Sequence, residues 1–197
     1  MLEYLGFGGS IIVLLLFLAA ALVIDLKTHR IPNPLSFGLI LTGLLLGGLQ
    51  DAGLFQNAVG AQGFLQALGG LGIAFGIFLP FYLFRGMGAG DVKLMAGIGT
   101  FMGPFDTLLA VGASLVAGAL MGFVILVAKG GLADAWRRWF MLLRYLTYQP
   151  PEQGEAAAIK FPYAIAIATG TGIALWSTAY FQQLGFFTRG LMQQWTG

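Results

Sequence analysis

The chain has 197 residues, is 58% hydrophobic and 9% charged, and carries a formal net charge of +2. A soluble domain carries about 25% charged residues. So few charges cannot cover a water-facing surface, and with a mean hydropathy of +0.84 the composition points to a polytopic, all-α membrane protein.

The sequence contains no cysteine, which excludes disulfides, thiolate catalysis and zinc ribbons. His29 is the single histidine, so a multi-histidine metal site is excluded too. The N-terminus does not read as a secretory signal, because residues 1–10 hold Glu3 and no Lys or Arg.

Six apolar segments are predicted in chain order. The first, residues 8–24, ends in Asp25-Leu26-Lys27-Thr28-His29-Arg30-Ile31-Pro32-Asn33-Pro34, where the two prolines stop a helix and force an extended turn. The second, residues 35–49, is Leu- and Gly-rich and is followed by a polar link, residues 50–57, with Asp51. The third, residues 58–84, is long enough to tilt or to begin at the interface. After a glycine-rich loop from Arg85 to Asp91 comes a short fourth segment, residues 92–102, ended by Gly103-Pro104. At 1.5 Å per residue it reaches about 17 Å, against about 30 Å of hydrocarbon. The fifth, residues 105–128, is a full span with Asp106 placed as a helix cap, and the sixth covers residues 161–181.

Between the last two lies a polar stretch. Within it Leu132, Trp136, Trp139, Phe140 and Leu143 share one helical face, while Asp134, Arg137, Arg138 and Arg144 lie elsewhere. That pattern predicts an amphipathic helix lying on the membrane surface. Gly43/Gly47, Gly72/Gly76 and Gly118/Gly122 have the small-xxx-small spacing of close helix packing.

Charge orients the chain. If all six segments cross, the ends of segments one, three and five share one side with Lys27, Arg30, Arg85, Lys93, Lys129, Arg137, Arg138, Arg144 and Lys160. Were segment four re-entrant, the last five of these would change sides. The positive-inside rule therefore favours six crossings with both termini outside.

Of the eight acidic residues, only Asp25 and Asp91 stand where a membrane helix meets a cytoplasmic loop. An acid in such a setting is costly and its default reading is functional. Taken singly, Asp25 also reads as a helix-end acid paired with Lys27 or Arg30, and Asp91 as a helix cap. Taken together, they lie at one depth on one side. Two carboxylates sharing one proton suit aspartyl hydrolysis: one takes a proton from water while the other polarises the scissile carbonyl. A proton or cation pathway would use the same pair. Gly86, Gly88 and Gly90 leave room for backbone to pass close to Asp91.

Gly88-Ala89-Gly90-Asp91-Val92-Lys93-Leu94 resembles the GxGD motif of membrane aspartyl proteases, and its Val-Lys-Leu continuation is similar to the type IV prepilin peptidase family. Asp25, Lys27 and Ile31-Pro32-Asn33 resemble that family's first-aspartate motif, and Lys160-Phe161-Pro162-Tyr163-Ala164 resembles the proline-containing start of its last helix. The resemblance implies a single membrane-embedded peptidase domain over residues 1–197 that removes the short basic leader of prepilins or pilin-like proteins at the cytoplasmic face of the inner membrane. It implies Asp25 and Asp91 as the catalytic pair, with Gly88, Gly90, Lys93, Lys27 and Pro32 in support of loop and substrate. The expected partners are a pilin-like helix and the lipid bilayer, with no nucleic acid, metal or organic cofactor. Larger members carry an N-terminal Cys-x-x-Cys domain and N-methylate the product. A chain without cysteine is expected to be a peptidase-only form. The presenilin and signal-peptide-peptidase type also uses GxGD and is the alternative within proteases. A transporter or proton channel is the alternative outside them.

Overall fold

The computed structural model describes residues 2–54, 63–84, 86–129 and 162–178, together with Trp136, Arg137, Phe140 and Arg144. Every regular element among them is helical: α1 (Leu2–Thr28), α2 (Asn33–Asp51), α3 (Phe64–Leu83), α4 (Ala89–Ala128) and α5 (Ala164–Thr178). The first four are long and apolar enough to cross a membrane. The predicted surface helix falls outside the described residues except at those four positions, which are helical, with Trp136 and Phe140 exposed.

Local chemistry sets the boundaries. Helix α1 ends as His29 takes a left-handed conformation (φ 49), its N–H bonding to the Asp25 carbonyl at 2.8 Å. Pro32 then caps α2 in an extended conformation. At the other end of α2, the Asp51 carboxylate accepts the Phe64 N–H at 2.8 Å and so satisfies a free donor at the start of α3. The predicted link acid is thus a tether between two helices.

Segments four and five are the two limbs of α4, broken at Gly103 (φ 74, ψ 176) with Pro104 next. Only glycine takes that backbone conformation without penalty, and Pro104 has no N–H to continue the ladder. The chain reverses there. The Thr107 hydroxyl reaches the Gly99 carbonyl at 3.4 Å, which brings the second limb back alongside the first. Farther along, Ser114 packs on Gly170 and Gly118 on Tyr163, so α5 runs antiparallel to the second limb.

The first limb is the centre of the bundle. Every residue from 91 to 103 except Lys93 is buried. This resolves the short fourth segment: protein rather than lipid surrounds it, and a helix so enclosed need not match the hydrocarbon thickness. Its close neighbours are admitted by small residues. Leu39 of α2 packs on Gly97, Thr100 sits against Gly43, and the backbones of Gly70 and Gly99 touch. The face that α3 turns inward holds Ala67, Gly70, Ala74 and Phe78. Gly72 and Gly76 point to open space, so the predicted packing pair on α3 is corrected to Gly70. Gly43 and Gly47 do face neighbours, and of the third pair only Gly118 does.

Candidate active site

Asp25 lies in the last turn of α1 and Asp91 in the first turn of α4, at the same end of the bundle. Their side chains are buried, at 5% and 9% exposure. Each accepts a backbone hydrogen bond. The Asp25 Oδ2 takes the Ala164 N–H at 3.2 Å, and the Asp91 Oδ2 takes the Gly88 N–H at 3.1 Å. These donors are the unsatisfied amides of helix N-termini, which suit a carboxylate.

The loops carrying the two acids are docked on each other. Ile31, buried, packs on Gly90, where a Cβ would press on its side chain and carbonyl. The Lys93 Nζ donates to Asn33 Oδ1 at 3.0 Å and lies 5.1 Å from the centre of the Phe37 ring. Thr28 braces the intervening turn, its hydroxyl reaching the carbonyls of Ile24 at 2.9 Å and Arg30 at 3.0 Å.

The predicted supporting residues divide accordingly. Gly88 holds Asp91, Gly90 admits Ile31, Lys93 reaches across to α2, and Pro32 shapes the turn. Lys27, in the last turn of α1, is exposed, as is Arg30 in the turn that follows the helix. Among the described residues, the partner of the Asp25 carboxylate is the amide at the start of α5. Gly90 already lies inside α4, so that helix begins earlier than the sequence suggests.

Sequence reasoning missed Tyr163 and the Ala164 amide. Tyr163 meets Phe78 edge-on at 6.4 Å between ring centres and lies against Gly118. The available signal was Pro162 just ahead of an apolar helix, which leaves free N–H groups at that helix's start.

The fold is a helical bundle of integral-membrane type that brings two buried carboxylates to one end. Residues 12–123, more than half of the chain and including both acids, match the type IV leader peptidase family, and the chain belongs to that family. It is 35% identical over 134 residues to a prepilin leader peptidase/N-methyltransferase of Xanthomonas campestris pv. campestris. That alignment takes in 64% of this chain and 42% of the relative, so the chain spans less than half of that protein's length. No solved structure matches.

Proposed function

We propose that this protein is an aspartic endopeptidase that removes the leader of a prepilin or pilin-like protein at the cytoplasmic face of the membrane. The observation that carries it is the burial of Asp25 and Asp91 at one end of the bundle, in a chain of the leader peptidase family. One carboxylate takes a proton from water as that water attacks the scissile carbonyl. The other, protonated, donates to the carbonyl oxygen. Collapse of the tetrahedral intermediate breaks the C–N bond, and the proton passes to the departing amine. The proposal is confined to cleavage; the methyl transfer in the relative's name is not part of it.

The direction of the helices supports six crossings. Helices α1, α3 and the second limb of α4 run toward the acid end, while α2, the first limb and α5 run away from it. The amphipathic stretch of residues 132–145 would then lie on the cytoplasmic leaflet.

Co-expression with a pilin-like substrate, with leader removal followed on a gel, tests the reading. Asp25→Asn and Asp91→Asn should each abolish cleavage while the protein accumulates in the membrane. Full cleavage by either variant would sink the acid pair.

A further inference from the structure

Lys93 is the one residue of the buried stretch 91–103 that is not buried. It stands in the second turn of α4, at the acid end of the bundle. At a membrane edge, the ordinary course for a lysine is to extend toward the headgroups. Lys93 instead lies across the ring of Phe37 and bonds to Asn33. Asn33 is similarly committed. It is the first residue of α2, whose N-terminus has no side-chain cap, and its carbonyl oxygen serves Lys93.

We propose that Lys93 and Asn33 form a positioning strap between the two acid loops. The strap pins the turn after Asp25 to the helix that carries Asp91 and so sets how closely the two carboxylates approach. It rests on the acid-pair reading above and adds a residue pair that acts through the acids without touching substrate. The path from Asn33 to Asp25 is short and stiff. It runs through Pro32 and through Ile31, which is buried against Gly90, to a turn closed by the His29 N–H and the Thr28 hydroxyl. Lys93 also crosses between α4 and α2, helices that follow each other in the chain only through α3, and adds a polar bond to the apolar contact of Ile31 with Gly90.

The test compares kcat and KM for leader cleavage in membranes containing the full chain. Lys93→Met and Asn33→Ala should each lower kcat by about tenfold or more, because small misplacements of catalytic groups have large kinetic effects. KM should stay within about twofold, since ground-state binding is untouched. The double variant should be no slower than the slower single, because both remove one bond. Asn33→Asp, which keeps an acceptor for Lys93, should restore kcat relative to Asn33→Ala. Should Lys93→Met fail to accumulate, the ratio of Asn33→Asp to Asn33→Ala tests the same bond.

A raised KM at unchanged kcat in Lys93→Met, with Asn33→Ala like wild type, would mean that Lys93 meets the substrate directly and would overturn the strap. Multiplicative losses in the double variant would overturn it too. Asp25→Asn and Asp91→Asn run alongside. If both are inactive while Lys93→Met and Asn33→Ala cleave normally, the strap alone falls. If either aspartate variant cleaves normally, the acid pair falls and the strap with it.

Discussion

Asp25 is held by a backbone amide, so only a change at residue 164 isolates that bond. Ala164 is the first residue of α5, and proline is well tolerated there because the amide has no partner inside its own helix. Ala164→Pro therefore removes the N–H that reaches Asp25 and keeps the helix. A hydrogen bond to a charged group is worth about 1.5–3 kcal/mol. Where that bond fixes a reacting carboxylate, its loss should slow leader cleavage by about tenfold or more. Ala164→Gly keeps the N–H and should keep most of the activity. Equal cleavage by the two variants would show that the start of α5 does not position Asp25. Both acids were legible from the sequence because each sits in a local motif at a helix end. The Ala164 donor was not, because 139 positions separate it from Asp25 and a backbone amide has no residue type to recognise.

Helices α3 and α4 meet where neither has a side chain. A Cβ at Gly70 would run into the Gly99 carbonyl, and a Cβ at Gly99 into the Gly70 carbonyl. Such contact lets dispersion act between backbones, which matters in a bilayer where lipid tails compete for apolar surface. Gly99→Leu should therefore force the helices apart and cost about 1–3 kcal/mol or more. The loss would appear as a lower thermal midpoint for the detergent-solubilised protein. Gly72→Leu faces open space and should change stability by no more than about 0.5 kcal/mol. If the two variants melt alike, the assigned packing face of α3 is wrong. The sequence offered Gly72/Gly76 by spacing alone, and spacing defines a stripe without saying which way the stripe points. Breaks between elements were easier to read. Gly103-Pro104 and Ile31-Pro32-Asn33-Pro34 act through local backbone geometry, and the chain turns at both.

For the molecule as a whole, the two ends of the bundle carry different chemistry. The acid end gathers the close of α1, the starts of α2, α4 and α5, and the contact between Gly118 and Tyr163. The far end gathers the Asp51–Phe64 tether, the reversal at Gly103 and the approach of Asp106 to Thr178. Lys27, Arg30 and Lys93 belong to the first end, and Lys129 follows the limb that returns to it. Since positive loops are retained in the cytoplasm, the acid end should be cytoplasmic and the Asp51 end external. Reporters fused after Gly53 and after Gln153 should therefore register on opposite sides, the first outside and the second inside. The pair also tests the reversal at Gly103. If the second limb did not return across the bilayer, the two reporters would read the same side. The basic stretch after Lys129 would then be separated from both acids, and a substrate's cytoplasmic leader could not be cut beside it.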